Sequence, residues 1–386
     1  MIFTEWHPLT VWLALLLPAL LLSGFALWML NGISRITHSL NNPSSNSDDT
    51  HPTLFSVIIA AHNEEKRLRS TIPALAAIDF PADRVEFILI NDRSRDATLS
   101  LLESEAVLHP NWRVLSSTPS PGFRGKVNAL RCGTGSAKGD FLLFLDADCV
   151  PPPHWLQDYD RIVSQYDVIP GHIALTEPVS GFWSVLLNLE HLLSSLQVLA
   201  GCGQGRPLFA RGGNWGYSRR LLAACGGWNS LKGKRWGDDI LMMDLFRRQP
   251  GCRFGYTLEG TVSTPPPSSW RSWLRAALRR YGKVTQLSPS SRWLHFLFYL
   301  GLLLLPLIPL MLPQLLLPWL IYYLFTLLLF LCVLRKGASL LRQRFQSGSA
   351  LLFLLLFPPL VLLLAVTGTL LNSAGTFTQD GEEELP

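Results

Sequence analysis

Charge is scarce in this chain and unevenly spread. Only 16% of the 386 residues are charged. Residues 8–30, 293–334 and 350–371 contain no charged side chain at all. So uneven a distribution excludes a single water-soluble core and predicts membrane segments around a soluble middle. The six cysteines, at 132, 149, 202, 225, 252 and 332, form no C-x-x-C pair. That excludes a cysteine-built zinc site and predicts reduced, free thiols. No Lys or Arg stands in MIFTEWH ahead of the first apolar run, and large residues end the run. A cleaved signal peptide needs a basic start and a small-residue exit, so a retained anchor is expected instead. No G-x-G-x-x-G follows the first strand-like segment, and no G-x-x-x-x-G-K-[ST] occurs anywhere. These absences disfavour the dinucleotide-binding fingerprint and exclude the P-loop. No internal repeat is visible.

What is present begins with length. Residues 8–30 are long enough to cross a hydrocarbon core of ~30 Å. Residues 294–312 and 315–334 make two further spans around Pro313 and Gln314, and 350–371 make a fourth, with Pro358 and Pro359 as an expected kink. All 33 Lys and Arg fall between Arg35 and Arg292 or between Arg335 and Arg344. The positive-inside rule then places the central domain and the 335–349 loop in the cytosol, with both termini outside. The net charge of +5 suits an anionic inner leaflet and calls for no nucleic-acid partner.

After a polar linker over 31–52, the middle alternates. LFSVIIAA (54–61), VEFILIND (85–92), WRVLS (112–116) and DFLLFLDAD (140–148) read as strands; 63–78, 96–107 and 126–136 read as helices. Continuous apolar runs imply strands covered on both faces. Strand–helix repeats of this length imply an α/β fold with a mostly parallel, doubly wound sheet. Ligands in such sheets sit beyond the carboxyl ends of the strands. The polar residues there, His62-Asn63-Glu64, Asn91-Asp92-Arg93 and Asp146-Ala147-Asp148, are therefore the first candidates.

Asp146 and Asp148 follow a buried strand two residues apart. Two adjacent carboxylates resist ionising together unless a cation joins them. A hard divalent ion such as Mg²⁺ or Mn²⁺ answers that need, and such ions take one or two carboxylates plus phosphate oxygens. The bland alternative is a solvated strand-end turn. Asp92 ends the second strand, where a carboxylate can accept hydrogen bonds from a ribose or base. An N-cap or Asx turn is the competing role, assigned instead to Ser94 or Asp96.

The segments VIIAAHNEE, INDRSRDAT, FRGKVNALRCG, FLDAD, GGNWGYSRR and WGDDI occur in one order. In that order the chain resembles family 2 glycosyltransferases of the GT-A fold over residues 53–285. The resemblance implies a catalytic domain over 53–268, with a nucleotide-binding half (53–150) and an acceptor half (151–268). It implies that Ala60, Glu64 and Asp92 hold base and ribose, with Arg124, Lys126 and Asn128 nearby. Asp146 would contact the ribose or donor sugar, and Asp148 would bind a divalent metal on the diphosphate. Asp239, after Asp238 in WGDDI, would be the catalytic base. The chemistry asks for the same groups. An oxocarbenium-like transition state needs its leaving diphosphate neutralised and the attacking hydroxyl deprotonated. Helix capping is the alternative role for Asp238 and Asp239.

On the acceptor side stand Asp238 and, as a hydrogen-bonding and stacking pair, Asn214 and Trp215, with Trp215 equally able to serve as core. Residues 269–285 read as an interfacial amphipathic helix, with Trp270, Trp273, Leu274, Ala277, Leu278 and Tyr281 opposite Arg271, Arg275 and Arg279. Polymer-extending relatives carry Q-x-x-R-W here. Ala277 stands where the Gln belongs, so a processive synthase is disfavoured, while Arg280 is kept as a diphosphate or phospholipid contact. Residues 181–200 are apolar but hold Glu190 and His191, which argues for a surface helix, dipping into the interface or covering the acceptor groove, and against a fifth span. His191 reads as a structural histidine. The expected protein is an inverting transferase in a bacterial cell membrane, using a UDP-sugar or similar donor and a lipid or glycan acceptor. An inactive scaffold of the same fold is the alternative, against which the intact acids argue. The acidic tail 373–386 has no assigned role.

Overall fold

A computed structural model describes residues 8–42, 52–176, 182–233, 237–282 and 289–373. The acidic tail, apart from residue 373, and residues 43–51 of the linker lie outside them. The chain divides into two compact units: Gly32–Pro266, and a second formed by residues 1–31 with 267–386.

The first unit is an α/β layer structure. Strands β1 (Phe55–Ala61), β2 (Val85–Asn91), β3 (Trp112–Ser116) and β4 (Phe141–Phe144) alternate with helices α2 (Glu65–Ala76), α3 (Thr98–Ala106) and α4 (Gly125–Ser136). Then come α5 (Trp155–Ile162), β5 (Val168–Leu175), α6 (Phe182–Gly203), β6 (Trp215–Ser218), α7 (Arg219–Ala224), α8 (Asp238–Phe246) and β7 (Thr257–Thr264). The seven strands form one sheet in the order β3-β2-β1-β4-β6-β5-β7. β1 pairs in parallel with β2 and β4, and β2 with β3, as continuous apolar runs require when both faces are covered. Val57, Ile59, Leu89 and Leu143 are fully buried within one cluster with Leu68, Ile72 and Trp155. Each such side chain contributes roughly 1.5–3 kcal/mol by leaving water. β6 departs from the parallel rule, running antiparallel to both β4 and β5.

Two expectations change in this unit. The linker does not begin at residue 31, because helix α1 runs unbroken over Pro8–Asn41. Its 34 residues span about 50 Å. The helix over the apolar segment 181–200 is more deeply packed than an interface helix would be. Trp183–Gly203 is long and apolar enough to cross a bilayer, yet 67% of it is buried within the fold. Its polar residues explain this: Glu190 and Ser195 are buried, and polar groups inside a fold need protein partners that lipid cannot supply.

The second unit holds the start of α1 with α9 (Trp270–Gly282), α10 (Pro289–Met311), α11 (Leu316–Leu340) and α12 (Ser347–Ser373). The chain thus has four candidate membrane-spanning helices, one N-terminal (α1) and three C-terminal (α10, α11 and α12). On α11 the side chains of Leu317, Ile321, Leu324 and Leu328 are exposed, as a lipid-facing side requires. Ser23 of α1 shares a hydrogen bond of 3.1 Å with Tyr322 of α11. The expected interfacial helix is corrected in part. Trp273, Ala277 and Leu278 of α9 are buried, and a side chain at Gly368 of α12 would collide with the backbone of Leu278 and Gly282. Part of the apolar face of α9 is therefore covered by protein, while Trp270 stays exposed.

Candidate active site

Because β1, β2 and β4 run parallel, their carboxyl ends open on one edge of the sheet. Asn63 and Arg93, just past β1 and β2, adopt left-handed backbone conformations (φ 55° and 57°). Such strain in non-glycine residues collects at functional sites. Their loops interlock: Asn63 N–H donates to Ser94 Oγ at 3.1 Å, and Arg95 N–H to Asn63 Oδ1 at 2.8 Å. The Asx turn before α3 belongs to Asp96, whose Oδ1 accepts from Thr98 N–H at 3.1 Å.

Ala60 is partly exposed on β1. Asp92 is buried, and its Oδ1 accepts from Ser117 Oγ at 2.6 Å and Arg93 Nε at 3.3 Å. Glu64, at the N-terminus of α2, takes both carboxylate bonds from Arg67 at 2.9 and 3.0 Å. Burial raises its carboxyl above the usual range against the pull of Arg67, and Asp148 and Asp146 raise it further. Glu64 therefore faces the same acids.

Beyond β4, donor atoms of Asp146, Asp148 and Cys149 lie within 4.8 Å of one another. Burial and then the charge of Asp146 push Asp148 upward, only partly countered by Arg67 and Lys126. The Cys149 thiol, 3.7 Å from Asp148 Oδ1, is the hydrogen-bond donor to Asp148 among the described residues. Lys126 makes an ion pair with Asp146. Burial would depress its ammonium, but Asp146, Asp238 and Asp239 together hold it well above its ordinary value.

Asp239 joins the cluster through a pair of glycines. A Cβ placed on Gly212 would lie 3.5 Å from Lys126 Nζ and 3.6 Å from Asp239 Oδ2. A Cβ on Gly213 would lie 2.8 Å from Cys149 Sγ and 3.1 Å from Asp146 Oδ2. One pocket wall thus touches the β4 acids on one side and the α8 acid on the other. Asp239 opens α8, where its Oδ1 accepts from Ile240 N–H at 2.9 Å, leaving Oδ2 on the side of the glycines. Asp238 beside it is buried. Gly237, with φ 93°, allows the sharp entry into the helix that no L side chain adopts readily.

Three expected site residues are buried inside the fold. Asn214 is fully buried, and its amide is saturated. Oδ1 accepts from Trp155 Nε1 at 3.0 Å and Tyr159 OH at 2.8 Å, while Nδ2 donates to the carbonyls of His172 at 2.9 Å and Gly260 at 3.0 Å. An amide has four such positions and no fifth for an acceptor sugar. Trp215 is core: it is 1% exposed and packs on Phe144 and Tyr217 with ring centroids 5.7 and 5.0 Å away. Asn128 is also buried, donating to Thr118 O at 2.9 Å and accepting from Arg131 at 3.3 Å. It supports the loop before α4. Arg280 lies on α9. Arg124 is exposed at the start of α4, next to Lys126 in sequence.

Sequence reasoning missed Cys149 and the Gly212–Gly213 wall as site components. The thiol directly follows D-A-D, which was the available signal. Nothing local marks the glycines as lining both sides of one pocket.

Residues 56–226 match the family model described as Glycosyl transferase family 2. Among curated proteins, the chain is 23% identical over 234 residues to "Probable glycosyltransferase YdaM" of Bacillus subtilis, covering 58% of this chain and 53% of that one. It is 26% identical over 239 residues to beta-monoglucosyldiacylglycerol synthase of Synechocystis, covering 58% and 48%. The chain thus spans about half the length of these relatives. Among solved structures, a mannosyltransferase from Pyrobaculum calidifontis, in complex with GDP-Man and Mn²⁺, superposes with a TM-score of 0.54. The match covers 93% of this chain and 99% of that one at 18% identity, a likeness of fold.

Proposed function

Since this chain is a family 2 glycosyltransferase, we propose that it transfers a sugar, with inversion, from a UDP-sugar to a hydroxyl of a lipid or other membrane-proximal acceptor. The observation that carries the reading is the single wall shared by Asp146, Lys126 and Asp239.

Asp92 and Ala60 offer the strand-end position for the ribose and base, and Glu64 borders it. Asp239 is the general base. Its Oδ1 accepts from Ile240 N–H, and its Oδ2 lies on the side of the glycines, where it takes the acceptor proton. As the acceptor oxygen bonds to the anomeric carbon, the bond from that carbon to the diphosphate oxygen breaks. The proton passes to Asp239, and a single base on the face opposite the leaving group gives inversion. The donor set fits a hard divalent ion. Asp148, pushed upward by burial and by Asp146, is the carboxylate such an ion would relieve, with Asp146 beside it. A thiol is a poor ligand for Mg²⁺, so Cys149 serves as a hydrogen-bond donor to Asp148. When bound, Mg²⁺ or Mn²⁺ neutralises the departing diphosphate. Lys126, already facing three acids, supplies a second positive charge at that edge.

A lipid acceptor is supported by the candidate membrane helices and by the name of the Synechocystis relative, which places a glucosyl group on diacylglycerol. The basic residues favour a cytosolic catalytic unit in a cell membrane.

The test uses the full chain in detergent. Asp239→Asn is expected to bind UDP with Mn²⁺ as the parent does, while transfer falls by roughly 10²–10⁴-fold. Asp148→Ala is expected to lose the metal-dependent part of UDP binding in calorimetry. Parental transfer by Asp239→Asn would refute the base; metal-dependent binding unchanged in Asp148→Ala would refute the ligand.

A further inference from the structure

We infer that Arg211 is a positioning residue for this reaction, fixing the Gly212–Gly213 wall of the pocket onto helix α6 and strand β5. The inference rests on the reading above that this pocket holds the donor sugar.

The wall is a tight turn, closed by Asn214 N–H donating to Arg211 O at 3.1 Å. One end of that turn is locked by the saturated amide of Asn214. The other is held by the guanidinium of Arg211, which reaches three acceptors on two elements. Nη1 donates to the carbonyl of Ile173 on β5 and to Ser195 Oγ on α6, each at 3.2 Å. Nη2 donates to His191 Nδ1 on α6 at 2.7 Å. His191 and Ser195 stand one helical turn apart, and a planar fork addresses such a pair with a fixed geometry that a flexible ammonium does not reproduce. Ser195 is in turn tied to His172 Nδ1 of β5 at 2.9 Å, so the anchor is itself anchored.

The wall has little room to move. Cys149 Sγ stands 2.8 Å from where a Gly213 Cβ would be, so a shift towards β4 meets the thiol. A shift away from β4 opens the gap to Cys149 and Asp146. Arg211 thus sets the separation between the metal side of the pocket and its base, without itself joining the reacting atoms. Displacing a wall by about an ångström can cost on the order of 10² in rate with binding little changed.

The experiment compares Arg211→Met and Arg211→Lys with the parent as full chains in detergent. UDP release from UDP-glucose, UDP-galactose and UDP-N-acetylglucosamine is measured with Mn²⁺, together with hydrogen exchange over residues 208–215 and the melting temperature. For whichever donor the parent turns over, Arg211→Met is expected to lower kcat by roughly 10²-fold while the donor KM stays within about threefold. Arg211→Lys should recover part of that loss. Exchange at Gly212 and Gly213 should quicken in Arg211→Met and less in Arg211→Lys, with β1 and β2 unchanged. Unchanged exchange at the two glycines overturns the inference, whichever donor is used. So does a parental kcat in Arg211→Met, or a loss that follows melting temperature alone with Lys no better than Met. If the glycines exchange faster but the parent releases UDP from none of the three sugars, it is the donor assignment that fails.

Discussion

The amide of Asn214 joins three elements. Its partners come from α5, β5 and β7, and Gly171 lacks a side chain where a Cβ would collide with that amide. Asn214→Leu keeps the volume but strands two donors and two carbonyls in the core. At roughly 1–3 kcal/mol for each unsatisfied group, a loss of at least about 3 kcal/mol is expected. For a unit of this size that lowers the melting temperature by about 6–12 °C; an unchanged melt would contradict the hub role. His172 carries a pH dependence. Burial, helped by Arg211, lowers its pKa to about 3 from the ordinary 6.5. Folded His172 therefore stays neutral while the unfolded chain takes up a proton below pH 6.5, so stability is full above that pH and falls as pH drops towards 3. The contribution is about 1.4 kcal/mol per pH unit in that window. Melting curves of His172→Asn should show a shallower acid slope than the parent; equal slopes would contradict it. At this scale the acids were legible in the sequence because charged residues at the ends of apolar strands have few other places to be. Asn214 was misread, and Trp215 was left open between core and acceptor contact, because nothing local tells a buried amide or indole from one that faces a ligand.

Helix α6 is the element whose composition misleads. By length and hydropathy it passes for a membrane span, yet it packs inside the catalytic unit. What admits it is close backbone approach where α1 passes its end. A side chain on Gly32 would collide with the Ala200 carbonyl, and one on Gly203 with the Gly32 carbonyl. Backbone atoms cannot yield as side-chain tips can. Gly203→Val should therefore cost more than the roughly 1–3 kcal/mol of ordinary overpacking. The expected result is loss of the monodisperse peak in size-exclusion chromatography. Gly24, with nothing within 4 Å of its Cβ position, supplies the control: Gly24→Val should elute as the parent does, and equal behaviour of the two variants would contradict the crossing. The strands of the nucleotide half were legible because each is a short, mainly apolar run. β5, β6 and β7 were not, since Gly, Pro and Thr interrupt them and their pairing is set by distant partners.

For the whole molecule, the distribution of Lys and Arg gives a testable orientation. Val107, 84% exposed at the end of α3, is a suitable reporter. In Val107→Cys, a membrane-impermeant maleimide should add label over the parent in inverted membrane vesicles and none in intact cells. Label added in intact cells would place the catalytic unit outside.

The sequence alone determined the parallel strands, the four apolar helices and the acids at the strand ends. Each follows from local physics: uncharged runs long enough for a bilayer, apolar runs short enough for a strand, and carboxylates where such a run stops. Tertiary structure alone decided that Asp239, remote in the chain, meets Lys126 and Asp146 across two glycines, and that Asn214 and Trp215 face inward. Those outcomes depend on which distant groups arrive to fill a hydrogen bond or a gap, and no periodicity encodes that.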